Sequence, residues 1–208
     1  MTYPSPTAGV GQTGGMDEIT GAPDWARLDW PRATERLTVR PATSEDADAM
    51  YAYRSLDPVA RWMTRQPTDP EQWRTDSATR NPYTLMIHLD GAPVGDLFLK
   101  VEDAWAQAEV RDRGAGVHAE IGWCLAPAHE GRGYATEAVR ELLAIAFDGL
   151  GLRRVTAICF ADNEASWRLM ERVGMRREAH HVRDNLHRDG GWYDGFTYAL
   201  LAEEWRAR

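Results

Sequence analysis

At 208 residues the chain has the length of one domain with a tail, and 43% hydrophobic residues allow a proper core. A formal net charge of −8 argues against general nucleic-acid binding and is compatible with a cationic acceptor. No apolar run reaches a membrane span, the start lacks a basic-then-apolar signal pattern, and two cysteines make no disulfide framework, so a cytoplasmic protein without a membrane partner is expected.

Residues 1–22 are rich in Gly, Pro and Thr with little periodicity, and disorder is expected there. The segment DWARLDW at 24–30 carries two tryptophans; it either folds back onto the domain or is a leader with incidental aromatics. The reading is a flexible tail over 1–34 and one domain over 35–208. A short strand covers 37–40. Thr43 or Ser44 caps a helix through Leu56, with Ala47, Met50, Tyr51 and Arg54 on one side. Residues 59–63 look helical, and Asp69-Pro70 opens a third helix through Trp73. Two strands, 83–89 and 94–102, flank Asp90-Gly91, the signal of a type I′ hairpin. The charged stretch 103–117 reads as a surface loop or an extended hairpin tip.

The run 120–150, EIGWCLAPAHEGRGYATEAVRELLAIAFDGL, is the most informative. Ala119, Ile121, Trp123 and Leu125 share one face of a strand, and Glu120, Gly122 and Cys124 share the other. After a loop at 130–135, Val139, Leu142, Leu143, Ala146, Phe147 and Leu150 repeat at helical spacing. A glycine loop opening a helix gathers unpaired N–H groups at the positive end of the helix dipole, a geometry that binds phosphate. The P-loop lysine is missing after Gly133, and the Rossmann glycines and acid are incomplete. From the loop alone, a ligand-free turn stays open. Residues 154–160 read as a central strand. Asp162 or Asn163 then caps a helix over 164–173 whose inward stripe is Ser166, Leu169, Met170 and Val173. Strands at 175–185 and 192–201, joined by a turn at 187–191, complete the pattern. Cys124 and Cys159 fall in central strands as small buried hydrophobes.

Five motifs together carry a family resemblance: ERLTVRP at 35–41, EIGW at 120–123, GRGYATEA at 131–138, NEAS at 163–166 running to ERVGM at 171–175, and WYDGFTYALL at 192–201. Over roughly 35–205 the chain resembles a GCN5-related N-acetyltransferase, in the RimJ/RimL-like branch that acetylates ribosomal-protein N-termini. The resemblance implies an α/β fold: a mostly antiparallel sheet of six to seven strands with a splayed parallel pair, flanked by helices. It implies acetyl-CoA as donor and co-substrate, a primary amine as acceptor, direct attack in a ternary complex, and no metal. A homodimer would be common for the family.

Residue by residue, the resemblance places the pyrophosphate on the amides of Gly131, Arg132, Gly133, Tyr134, Ala135 and Thr136. It runs the pantetheine arm along Cys124, Leu125 and Ala126, with an amide near Leu125 stabilising the oxyanion. Asn163 would reach the pantetheine or hold the loop. The amine must lose a proton before it attacks, and Glu120 is the candidate base. The bland alternative is a carboxylate tied to a neighbour. Relatives place a Tyr where this chain has Met170, so Ser166 is the substitute acid, or else a packing hydroxyl. Glu130 stands where the family has Gln or Arg, an unfavourable charge near a pyrophosphate unless it faces solvent or pairs with Arg132. His129 beside it either offsets that charge when protonated or is a solvated loop residue, the second being the expectation. Trp62, Trp73, Trp192 and Tyr193 line the acceptor cleft, or are ordinary core and lid residues. His180, His181 and His187 make a poor metal set, and an acyl-Cys124 is not needed. The acceptor reading is a protein N-terminus. A small amine (antibiotic, polyamine or amino acid) and a lapsed acyl-CoA-binding module are the alternatives, and a longer donor such as succinyl-CoA stays open.

Overall fold

The computed structural model describes residues 21–208, so the disorder expected of the first residues falls almost wholly outside it. One mixed sheet organises the chain. Its strands are β1 (Arg32–Ala33), β2 (Leu37–Pro41), β3 (Thr84–Leu89), β4 (Ala92–Glu102), β5 (His118–Leu125), β6 (Arg154–Phe160), β7 (Arg176–Leu186) and β8 (Trp192–Leu201). The order is β1-β2-β3-β4-β5-β6-β8-β7, and every neighbouring pair is antiparallel except β5 with β6. The expected six to seven strands become eight because Arg32 and Ala33 pair with Val39 and Thr38, adding a two-residue edge.

Strand alternation divides the sheet's two faces between two helical layers. On one face α4 (Tyr134–Ala144) and α5 (Glu164–Arg172) bury Val139, Leu142, Leu143, Leu169 and Met170 against Val39, Leu97, Ile121, Val155 and Leu200. On the other, α1 (Ala47–Arg54) and α3 (Pro70–Arg80) enclose Met50, Tyr53 and Trp73 with Met86 and Cys124. Two short helices, α2 (Asp57–Ala60) and α6 (Ala202–Arg206), complete the set.

The expected first helix is divided: Ser44–Asp46 is a 3-10 turn closed by a Thr43/Asp46 capping box, and α1 proper ends at Arg54. Tyr53, not Tyr51, is its buried aromatic. α3 runs past Trp73 to Arg80, started by the Asp69 side chain accepting from Glu71 and Gln72 amides. The Asp90-Gly91 hairpin has both residues at positive φ, 51° and 80°, as its turn type requires. Within the charged 103–117 stretch, Ala108–Gly114 winds into a 3-10 helix. α4 ends in a wide π turn, Ile145–Gly149.

Residues 21–34 are part of the packed structure, so the boundary expected at 34/35 falls inside it. Trp25, Leu28 and Trp30 pack on the main core. The Trp25 indole donates to the Pro82 carbonyl at 2.8 Å, and the Val101 amide donates to the Gly21 carbonyl at 2.8 Å. Of the two readings of 24–30, the fold-back is the observed one.

Candidate active site

β5 and β6 run parallel but pair only over His118↔Arg154, Ala119↔Val155 and Glu120↔Thr156. β5 continues to Leu125 and β6 to Phe160 without further pairing, whereas β4 follows β5 from Glu102↔His118 to Gly95↔Leu125. The parallel pair therefore splays just beyond Glu120. A cavity of about 330 Å³ opens there. Glu120, Gly122 and Trp123 line it from β5, Ile158 and Cys159 from β6, Asn163 and Ser166 from the start of α5, and Met50, Arg54 and Trp62 from the α1–α2 side.

The splay leaves backbone donors on β5. The Ala126 amide donates to the Val94 carbonyl at 2.9 Å, so antiparallel alternation turns the Leu125 amide to the opposite edge, toward the gap left by β6. The amides of Cys124 and Ala126 are spent on β4 by the same alternation. Of the three residues expected along a pantetheine arm, Leu125 is thus the one with its N–H toward the gap.

Beyond Ala126 the chain makes a 3-10 turn, Pro127–His129, and enters the glycine loop. Gly131 and Gly133 take φ of 72° and 83°, a region in which a side chain costs about 1–2 kcal/mol. Gly133 is the N-cap of α4 and offers no side-chain cap, so the first amides of the helix, from Tyr134 onward, have no capping acceptor. The loop is clamped from behind. The Glu137 carboxylate accepts from the Thr34 hydroxyl, the Arg36 amide at 2.8 Å and Arg36 Nε at 2.7 Å, while Arg36 Nη1 donates to the Arg132 carbonyl at 3.0 Å. Burial raises the Glu137 carboxyl, and these hydrogen bonds outweigh it, holding it below the usual range. Arg36 also stacks on Tyr134, 4.6 Å from the ring centre. Arg32 pairs with Glu141 one turn further along α4.

Thr136 is buried, and its hydroxyl oxygen accepts from Arg172 Nη1 at 3.0 Å, which leaves the hydroxyl proton for another partner. Ala135 packs against the main core. Glu130 is exposed and has no ion pair with Arg132 among the described residues. The solvent-facing arm of the earlier alternative is the one seen. His129 departs from the expected solvated loop residue: its Nδ1 is buried without a described partner, and its ring lies 6.5 Å from that of Tyr134.

Glu120 is half-buried at the mouth of the splay, opposite Lys100 on β4. Its carboxylate accepts no hydrogen bond and makes no ion pair with any described residue. Burial raises its pKa above the ordinary value, Glu102 adds to the rise, and Lys100 opposes it. Two residues along the same face, Gly122 leaves room: a Cβ there would lie 3.7 Å from the nearest atom, on Phe98. Gly122 lines the cavity, and its own packing does not forbid a side chain there.

Asn163 caps α5, its side-chain oxygen accepting from the Ser166 amide at 3.3 Å. Ser166 lies on the cavity wall, and its hydroxyl contacts the Cys159 thiol. Burial pushes Cys159 up to about 11, with Ser166 opposing, and pushes Cys124 up to about 12, with Asp96 adding to it. Both thiols are protonated at neutral pH, so neither is poised as a nucleophile. Met170 is core, 1% exposed.

The four aromatics expected at the acceptor cleft separate. Trp62 lines the cavity. Tyr193 joins it through a chain of rings, 5.2 Å from His187 and 6.1 Å from Phe160, both in turn about 6 Å from Trp62 (6.0 and 5.8 Å). The Tyr193 hydroxyl donates to Asp189 at 2.8 Å. Trp192 is exposed at the end of β8. Trp73 is not at the cleft: it is 3% exposed, its indole donates to the Ala47 carbonyl at 2.9 Å, and it belongs to the core under α1. An amphipathic α1 needs a large apolar partner from α3, and that need uses Trp73 up. His180 and His181 bond separately, to Asp194 and Thr197, and no metal-holding cluster occurs among the described residues.

Sequence reasoning missed three groups. Arg36 and Glu137 form the clamp behind the loop, and Arg172 reaches Thr136. Arg54, Asp96 and Tyr53 form a buried polar network at the cavity wall. The signal for the last was present in part, as Arg54 repeats with Ala47 and Met50 on the inward side of α1, where an arginine requires a buried acid.

Comparison with known proteins agrees with this geometry. The profile of the acetyltransferase (GNAT) domain matches residues 36–176. The uncharacterized N-acetyltransferase YnaD of Bacillus subtilis is 31% identical over 83% of this chain and 97% of its own length. Among solved structures, an acetyltransferase of the GNAT family from Bacillus anthracis superposes with a TM-score of 0.70 at 28% identity, covering 83% of this chain and 98% of that one. Mycobacterium smegmatis RimJ, in complex with CoA-disulfide, superposes with a TM-score of 0.66 at 27% identity, covering 81% and 83% of the two chains.

Proposed function

The chain belongs to the GNAT acetyltransferase family, and from that premise we propose that it moves an acetyl group from acetyl-CoA to the α-amine of a protein N-terminus. It is an acetyl-CoA-dependent N-acetyltransferase; the acceptor and the residue roles are our reading. The observation that carries the reading is Glu120, an unpartnered carboxylate of raised pKa at the point where β5 and β6 part. A base must be free to take a proton, and its pKa must approach the working pH. Glu120 takes the proton of the incoming ammonium. The amine nitrogen then attacks the thioester carbonyl directly, the carbonyl oxygen gains the electron pair, and the Leu125 amide donates to it. On collapse the C–S bond breaks and the nitrogen, made cationic by its attack, gives up a second proton. That proton passes to the departing thiolate through the Ser166 hydroxyl or a water, which is left as it began.

The donor's pyrophosphate lies on the first amides of α4 and the loop Gly131–Gly133, supplemented by the Thr136 hydroxyl and the charges of Arg132 and Arg172. The uncommitted α4 amides and the positive-φ glycines support this placement. Asn163, already spent in part on capping α5, keeps its amide donors for the pantetheine. Trp62 and Tyr193 flank the acceptor. Glu130 faces solvent and repels the donor only through water, which removes the main argument for a lapsed module.

A protein N-terminus is favoured over a polyamine by the lining. Glu120 is the one carboxylate among the described residues of the cavity, whereas the several ammonium groups of a polyamine would call for more than one. The structural likeness to RimJ points the same way. The test is calorimetric titration with acetyl-CoA and succinyl-CoA, followed by mass spectrometry of a peptide that has a free N-terminus and one internal lysine. Binding of acetyl-CoA in preference, with acetylation at the N-terminus, is expected. Acetylation confined to the lysine, or to spermidine offered in its place, would contradict the acceptor assignment.

A further inference from the structure

α1 covers the sheet face on which Glu120, Gly122 and Cys124 stand, and Arg54 is the charged side chain it contributes to the cavity wall. The guanidinium is held on one edge only. Its Nε donates to Asp96 Oδ2 at 3.0 Å and its Nη2 to Asp96 Oδ1, while the Tyr53 hydroxyl donates to the same carboxylate at 2.6 Å. Asp96 is fully buried, which fixes the whole group to β4. Burial works against the charge of Arg54, but Asp96 outweighs it and raises the pKa, so the side chain is a cation at every working pH. Among the described residues nothing accepts from Nη1. Arg54 lines the cavity with its side chain 16% exposed, so its uncommitted N–H groups are accessible from the cavity and free to donate there. An oxygen brought by a ligand in the cavity can accept from them.

The placement also fixes which ligand. Glu120 and Arg54 line the same cavity, one to receive a proton from an amine and the other to donate to an oxygen. An amine on a carbon next to a carbonyl or carboxylate meets both demands. A simple alkylamine or a polyamine meets only the first, because neither brings an oxygen. Because Asp96 balances Arg54, the pair has little net charge and serves a neutral peptide carbonyl as well as a carboxylate.

We propose that Arg54 is the acceptor-specificity residue of this site, donating from Nη1 to the carbonyl or carboxylate oxygen adjacent to the α-amine that Glu120 deprotonates. The proposal rests on the acetyl-transfer reading above. It is tested on the full chain by kcat/KM with three acceptors of one side chain: an alanine-initiated peptide, free alanine, and ethylamine. Two variants are compared with wild type. Arg54→Lys keeps the charge and loses the two-edged fork. Arg54→Met with Asp96→Asn removes both charges, so that neither is left buried without its counter-ion. Calorimetry with acetyl-CoA reports that each variant is folded with its donor site intact.

The expected result is that wild type prefers an oxygen-bearing acceptor and that this preference over ethylamine falls roughly 10- to 100-fold in either variant. A variant that binds acetyl-CoA as wild type does and keeps the preference would overturn the role of Arg54 and leave acetyl transfer standing. Wild type that favours free alanine over the peptide keeps Arg54 and removes the protein acceptor. Equal use of ethylamine removes both. Turnover of none of the three, with acetyl-CoA bound, overturns the amine-acceptor reading and the Arg54 proposal with it.

Discussion

Burial and the Glu102 carboxylate raise the Glu120 carboxyl above the ordinary range, and Lys100 only partly offsets them. The protonated form is thereby favoured in the folded state. The sign for activity and for stability then differs. In its proposed role as base Glu120 must be ionised, so kcat/KM is expected to rise with pH through the raised pKa, with an acid limb above the pH at which an ordinary glutamate titrates. For stability, a carboxyl raised above its unfolded value contributes fully below the unfolded pKa, and that contribution is lost as pH rises through the folded one. Ionised Glu120 therefore costs stability at neutral pH. Glu120→Gln is expected to melt higher than wild type at pH 7, with the gap closing toward pH 4; a lower melting temperature at pH 7 would contradict the assigned environment. Ser166→Ala is expected to lower kcat by roughly tenfold or less, because a CoA thiolate leaves readily without help. No change in kcat would assign the Ser166 hydroxyl to the Cys159 contact alone. At the scale of single residues, the position of Glu120 on the β5 face shared with Gly122 was legible from strand alternation, while its role as base belongs to the proposal. Placement was not legible where a side chain could serve core or cleft: Trp73 is taken up by the core under α1, and Trp62 borders the cavity beside Phe160 and His187.

At the scale of elements, the open edge between β5 and β6 and the start of α4 do the positioning. Gly122→Ala tests the first. Its Cβ has ordinary room against Phe98, and alanine suits a strand better than glycine by roughly 0.5–1 kcal/mol, so the fold should be unharmed or steadier. The methyl group enters the cavity beside Glu120, and a rise in KM for the acceptor is the expected reading. Unchanged kinetics would mean that the acceptor does not pass there. Glu137→Ala tests the second. It frees Thr34, the Arg36 amide and the Arg36 side chain together, and a weaker affinity for acetyl-CoA is expected by calorimetry. Unaltered affinity would detach the clamp from the loop's function. The strand and helix pattern was legible because alternation and helical spacing are strong over 120–150 and 154–201. The 3-10 turn at Ser44–Asp46 and the extension of α3 to Arg80 were not, since both depend on capping contacts and on a mostly polar helix whose packing shows only in three dimensions.

At the scale of the molecule, the sheet carries two cores of unequal size, and the N-terminal segment closes the larger one. Trp25 and Trp30 meet edge to face at 5.8 Å, and Leu28 presses on Gly149 behind the π turn of α4. Trp30→Ala is expected to cost about 2 kcal/mol, or roughly 4–8 °C in melting temperature, because the ring is partly buried on the core. A shift below one degree would return the segment to the role of a passive leader. Nothing in the composition of 21–34 distinguishes a docked strap from a loose one, because the docking surface is made by β4, the Pro82 carbonyl and the end of α4, all distant in sequence. The splay itself was inferred through family resemblance. Pattern alone gives two apolar strands at 119–125 and 154–160 and does not say that they part company after the third pair.

The most direct test of the whole account is CoA thiol release with acetyl-CoA and a free-N-terminus peptide, run in parallel on wild type and Glu120→Gln at neutral pH. Wild type is expected to turn over, and Glu120→Gln to bind acetyl-CoA equally well while losing roughly 10²- to 10⁴-fold in kcat. A Glu120→Gln protein that releases thiol at the wild-type rate would show that the proton leaves by another route and that the carboxylate at the splay is not the base.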